Sequence, residues 1–158
     1  MKYKLFTEIE IKAPPEAVWK ILTNLDNYKD WNPFIVSSKG KVKVGEKLVN
    51  RMAPPNGKAM TFKPIVTVVD ENKAFEWLGR AGIPGIFDGR HRFELKKTKN
   101  GTHFTHSEAF SGLLVGLAKK SLNTKTLKGF EEMNIALKTR AENQTRQKNS
   151  FRRHPNTD

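Results

Sequence analysis

Phe87 to Ser111, FDGRHRFELKKTKNGTHFTHSEAFS, reads as two strands of alternating polarity joined by a tight Lys99-Asn100-Gly101 turn, and this hairpin governs the rest of the fold. In its first strand, Phe87 to Lys97, the residues Phe87, His91, Phe93 and Leu95 share one parity, while Asp88, Arg90, Arg92, Glu94 and Lys96 share the other and face water. In the second, Thr102 to Ser111, the inner parity takes Phe104, His106, Glu108 and Phe110. One of two registers that keep this parity sets His91 opposite Glu108, inside the protein; the other, two residues away, puts Phe110 there instead. Burying an unpaired carboxylate is costly, so Glu108 must meet a base, hold a proton, or touch a wet cavity. The pair then either fixes strand register and nothing more, or orients a ligand.

Outward from the hairpin, residues 3–12 alternate as a half-buried strand, with Tyr3, Leu5, Ile9 and Ile11 on one face. Pro14 and Pro15 end it and suit the first turn of a short helix that carries Val18, Ile21 and Leu22 to about Thr23. Asp26 can cap a second brief helix toward Trp31, and Asn32-Pro33 returns the chain to an extended form. Recurrent turn signals between Phe34 and Phe110 separate several antiparallel strands, one of which sets Phe75 and Trp77 on a common face. After Gly112 no proline occurs before Pro155, and Leu122, Thr126, Phe130, Met133, Leu137 and Ala141 recur at helical spacing. That long helix is expected to end near Glu142, leaving residues 145–158 as a basic, disordered tail on a single domain of residues 1–144. It is the one element long enough to cover the sheet. The expected architecture is α+β: about seven curved antiparallel strands around a C-terminal helix, with two short helices after the first strand.

Composition narrows the chemistry. The chain of 158 residues has no Cys, which removes disulfides, thiolate ligands and cysteine nucleophiles together and fits a cytoplasmic location. Its longest apolar run, Gly112 to Ala118, is too short to cross a bilayer, and Glu8 and Glu10 interrupt any signal-peptide core. Lys and Arg outnumber Asp and Glu by 29 to 16, but the excess is spread along the chain and no nucleic-acid-reading motif accompanies it. Specific nucleic-acid binding is not expected. His103 and His106 have the HxxH spacing of a helical metal site, yet on a strand they point to opposite faces. His91, His106 and Glu108 would converge on a metal only with a bulge, so no metal and no cofactor are expected. No serine-nucleophile elbow or phosphate loop is present, and Gly82 to Gly85 reads as a loop able to gate a pocket.

The runs FEWLGRAGIPGIFDGRHRFEL (Phe75 to Leu95), GTHFTHSEAFSGLL (Gly101 to Leu114) and KGFEEMNIALKTRAE (Lys128 to Glu142), with the opening IEIKAPPEAVWKILTNLDNYKDWNPF (Ile9 to Phe34), resemble the polyketide cyclase/dehydrase and lipid-transport family. This family belongs to the START-related helix-grip superfamily. The resemblance covers nearly all of residues 3–142. It implies a deep, largely apolar cavity between sheet and last helix, and by position the aromatic lining would be Trp31, Phe34, Phe62, Trp77, Phe87, Phe93 and Phe110. His91, His106 and Glu108 would orient a ligand's polar end, with Met133 and Leu137 closing the helix side. No catalytic residue is carried over. The expected function is binding or transport of a small hydrophobic, lipid-like or aromatic, molecule. Two alternatives stay open: a cyclase or dehydratase using Glu108 with His91 or His106 as acid and base, and an interaction domain meeting an anionic membrane or acidic protein through its basic surface.

Overall fold

The computed structural model describes residues 1–153. Alternating apolar positions make a strand of Lys2–Ile11 (β1), and Pro14, in extended conformation, leads into a helix over Pro15–Thr23 (α1) that buries Val18, Trp19, Ile21 and Leu22. A 3-10 turn over Leu25–Asp30 follows, anchored by the buried Tyr28 hydroxyl donating to the Leu22 carbonyl at 2.7 Å. Seven further strands come next: β2 (Ile35–Lys39), β3 (Val49–Met52), β4 (Met60–Phe62), β5 (Ile65–Asp70), β6 (Ala74–Arg80), β7 (Asp88–Thr98) and β8 (Gly101–Ser111). The C-terminal helical region comprises α2 (Val115–Ser121), a π-turn over Leu122–Thr126, and α3 (Leu127–Arg153).

The α+β architecture with its long terminal helix is as the sequence implies, but the strands among the described residues number eight and divide between two sheets. One is five-stranded, in the order β1-β8-β7-β6-β5; the other is a small sheet, β2-β3-β4. Pro33, Pro54, Pro55 and Pro64 flank the short strands and cannot donate ladder hydrogen bonds, which prevents one continuous sheet. The segment before β3 joins the two: Leu48 N–H donates to the Pro64 carbonyl at 2.8 Å, and Val66 N–H to that of Glu46 at 2.9 Å.

The hairpin register is His91 opposite Glu108 and Phe93 opposite His106, closing at Thr98 opposite Gly101. Gly101 has φ 148° and its Cα lies against the Ile11 carbonyl and Ala13, where any Cβ would collide. A single aromatic core holds sheet and helix together: Phe75, Phe93, Phe104 and Phe130 are all fully buried, as are Met133, Leu137 and Ala141 on α3.

The helix does not stop near Glu142. Residues 143–153 contain neither Gly nor Pro, and the Thr145 hydroxyl donates back to the Ala141 carbonyl at 2.8 Å, so nothing breaks the hydrogen-bond ladder. Residues 145–153, expected as disordered tail, are therefore helical; the remaining tail, 154–158, lies outside the described residues. Among the described residues no helix is long and apolar enough to cross a membrane.

Candidate functional site: a cavity above a buried histidine pair

Inward parity on β6, β7 and β8 turns Trp77, Gly79, Gly89, Glu108 and Phe110 to the same side of the large sheet. They form one wall of a cavity of about 230 Å³. Met52, Met60 and Phe62 of the small sheet form a second wall, and Ala118, Ser121, Leu122 and Lys125 close it from the helical side. The π-turn supplies three of the wall residues, Leu122, Lys125 and Thr126. Phe34, Phe87 and Arg80 also line the cavity. Gly79 and Gly89 are register partners, so two adjacent inward positions carry no side chain and space opens there.

Six of the twelve residues expected to line this space do so: Phe34, Phe62, Trp77, Phe87, Glu108 and Phe110. The others do not reach the cavity. His91, Phe93, His106, Met133 and Leu137 are fully buried beneath it and fill the core, because Phe130 from α3 stacks on His106 at 3.8 Å and closes the gap between sheet and helix. Trp31 caps the 3-10 turn and packs edge-on against Tyr28 at 5.3 Å, away from the cavity wall.

Glu108 is the carboxylate at the wall. Its side chain is 12% exposed, and Oε2 lies 3.3 Å from His91 Nδ1. His91 Nε2 meets His106 Nε2 at 2.7 Å, and His106 Nδ1 meets Asn134 Oδ1 on α3 at 2.9 Å. The Asn134 amide in turn donates to the Thr7 hydroxyl at 2.8 Å, and that hydroxyl donates to the His106 carbonyl at 3.1 Å. Trp77 stacks on the His91 ring at 4.7 Å, so both imidazoles lie against aromatic faces. Burial in these surroundings pushes Glu108 up to about 8 and His91 down to about 3, and it holds His106 well below the usual histidine range with the neighbouring His91 adding to the effect. Each shift disfavours charge. His103, three residues from His106, lies on the opposite face between Glu8 and Glu10, as strand parity requires. With both Nε2 atoms turned on each other, His91 and His106 do not open toward a shared ion, and among the described residues no cluster of three His, Asp or Glu side chains could hold a metal.

Asn134 was not among the expected site residues. The signal was present: four residues after Phe130, it falls on the stripe that buries Met133 and Leu137. The small-sheet walls, Met52 and Met60, belong to strands too short to alternate visibly.

Comparison with known proteins extends this geometry. None of the curated proteins matches the chain. Among solved structures, the Zhui aromatase/cyclase from Streptomyces sp. R1128 aligns over 92% of this chain and 96% of its own, at 14% identity and a TM-score of 0.75. The di-domain aromatase/cyclase StfQ of the steffimycin biosynthetic pathway aligns over 91% of this chain at 11% identity and a TM-score of 0.74; this chain spans 52% of its length. A protein of unknown function from Staphylococcus aureus aligns over 92% of this chain and 97% of its own, at 18% identity and a TM-score of 0.69. At such identities the likeness is one of fold. The sequence itself matches the family described as polyketide cyclase/dehydrase and lipid transport over residues 3–142, most of the chain, and the chain belongs to that family.

Proposed function

We propose that the protein binds a small, ring-bearing hydrophobic ligand in the cavity between its two sheets and the π-turn. The observation that carries this reading is an apolar hollow with one ionisable side chain, Glu108, buried in its wall. A cavity of about 150 Å³ accepts benzene, so 230 Å³ suits a fused two-ring compound, with longer ligands extending through the mouth. Burial of apolar ligand area supplies the affinity, at about 25 cal/mol per Å² before ordering costs. A ligand such as 2-naphthol, at a hundred times its dissociation constant, would stabilise the fold by about 2.7 kcal/mol and raise the thermal midpoint accordingly. An unchanged midpoint across a panel of fused aromatics, sterols and fatty acids refutes it.

Two further readings have specific support. A buried carboxyl next to an imidazole can exchange a proton with a bound carbonyl compound, so cyclase or dehydratase chemistry is the second; it requires Glu108→Gln to abolish turnover while sparing binding. The third concerns the surface beside the cavity. Leu113 and Leu117 are 78% and 85% exposed, and hydrogen bonds from Leu113 and Leu114 N–H to the Gly85 and Ile86 carbonyls hold the exposed Ile83 loop nearby. No acidic residue occurs from Ser111 to Phe130, whereas Lys119, Lys120, Lys125 and Lys128 do. An apolar patch in basic surroundings fits transient docking on an anionic membrane during ligand exchange. Vesicle binding that does not fall with salt, or that survives Leu117→Glu, argues against it.

A further inference from the structure

Thr7, Asn134, His106, His91 and Glu108 form one unbroken hydrogen-bonded row from β1 to the cavity, and its closed end fixes its direction. The Thr7 hydroxyl spends its hydrogen on the His106 carbonyl, so toward Asn134 it can only accept, and Asn134 Nδ2 donates to it. The amide is thereby oriented with Oδ1 toward His106. An amide oxygen only accepts, which places a hydrogen on His106 Nδ1. A neutral imidazole protonated there has a bare Nε2, so the hydrogen between the two Nε2 atoms belongs to His91. The Nδ1 of a neutral His91 is then bare as well, and it faces Glu108 Oε2. An ionised carboxylate would set lone pair against lone pair.

Resting on the ligand-binding reading above, we infer that Glu108 is a neutral carboxylic acid that donates to His91 and turns Oε1 to the ligand as a hydrogen-bond acceptor. The cavity therefore selects compounds carrying a neutral hydroxyl or N–H over the corresponding ethers and carboxylates. Gly89 agrees with this arrangement: Oε1 occupies the space where a Cβ on Gly89 would sit. Moving the proton onto His91 would create two charges in a site where burial disfavours both. The groups facing Glu108 are few. On β7 there is His91; opposite it on β1 is the apolar Leu5; the lining also holds Arg80 of β6, 3.7 Å from Asp88, and Lys125 of the π-turn, while the small sheet contributes no charge to the wall.

The test is made on the full chain with 15N-labelled histidine at pH 6.5, together with three probes: 2-naphthol, 2-methoxynaphthalene and 2-naphthoate. The expected spectrum shows His106 protonated on Nδ1 and His91 on Nε2. 2-Naphthol is expected to bind about tenfold more tightly than its methyl ether, and the carboxylate more weakly still. Glu108→Gln keeps both results, since the Gln amide donates from Nε2 and still offers Oε1. Reversed tautomers, a doubly protonated His91, or an ether that binds as tightly as the phenol would overturn the inference. If the tautomers are as expected but none of the probes binds, the ligand-binding reading is what has failed, and the selectivity falls with it.

Discussion

Replacing Glu108 with Gln isolates the group on which the buried row depends, and the consequence for stability can be worked out with its sign. The Glu108 carboxyl is raised from 4.5 to about 8 in the folded protein, so between those values the folded state holds a proton that the unfolded state has lost. Its contribution to stability is complete below pH 4.5 and is lost as pH rises toward 8. His91, lowered from 6.5 to about 3, and His106, lowered in the same direction, act oppositely: stability falls as pH drops below 6.5, because the unfolded imidazoles take up protons that the folded ones refuse. Between pH 4.5 and 6.5 two histidines oppose one carboxyl, so stability rises with pH. From pH 6.5 to 8 only Glu108 of the three titrates, and stability falls by about 2 kcal/mol over the interval, or about 4–8 °C in thermal midpoint. These three groups thus place the stability maximum near pH 6.5, far below the isoelectric point of about 10.0. Exposed His103, raised by its hydrogen bond to Glu10 and by Glu8, also loses stability on the alkaline side, but it is common to both proteins and cancels in their difference. The assay is urea unfolding of wild type and Glu108→Gln at half-unit steps from pH 5.5 to 8.5. The variant is expected to match wild type within about 1 kcal/mol at pH 6.5 and to lack the part of the alkaline decline that Glu108 contributes, keeping only the shared part from His103. Parallel profiles from 6.5 to 8.5 would refute the reasoning, and so would a large loss at pH 6.5, the mark of a broken ion pair.

The glycine pair in the cavity wall gives a second, internally controlled test. A Cβ on Gly79 meets only the Gly89 carbonyl and Pro64 at 3.8 Å, so Gly79→Ala is expected to leave stability within about 0.5 kcal/mol and to weaken 2-naphthol by occupying its space; Gly89→Ala strikes Glu108 Oε1 and is expected to cost more, as calorimetry of both would show. Asn134→Leu leaves the hydrogen on buried His106 Nδ1 without an acceptor and is expected to cost about 1–3 kcal/mol in denaturant unfolding, whereas a cost indistinguishable from zero would mean that the row is not formed. Gly129→Ala, which in an exposed helix would gain about 1 kcal/mol, is expected to destabilise instead, since its Cβ collides with the Phe34 ring; a raised thermal midpoint would contradict that packing.

The hairpin was legible because its turn and its parity are both strong local signals. Asn100-Gly101 fixes where the chain reverses, and the alternation of inward rings and outward charges from Phe87 to Lys96 fixes which face is buried. Parity alone left His91 opposite either Glu108 or Phe110, and the structure selects Glu108. What sequence could not supply was depth. Parity says that His91, Phe93 and His106 point inward, but whether they border a hollow or sit under it depends on how closely α3 approaches, and the Phe130 to His106 stack decides that. Asn134 and the Gly79 and Gly89 pair were visible as anomalies, a polar residue on a buried helical stripe and two glycines inside strands, although only their meeting in three dimensions gives them meaning. The division into two sheets was hidden for another reason: strands of three to five residues between prolines carry too little alternation to show which sheet they join.

The cavity itself can be read through the methionine methyls. Of four methionines, Met52 and Met60 line it, Met133 lies in the core beneath, and Met1 is at the amino terminus. In protein labelled with [methyl-13C]methionine, titration with 2-naphthol is predicted to shift Met52 and Met60 saturably while leaving Met133 and Met1 in place. Stationary Met52 and Met60 signals at saturating probe, or movement of Met133 alone, would contradict the claim that this hollow is where the protein holds its ligand.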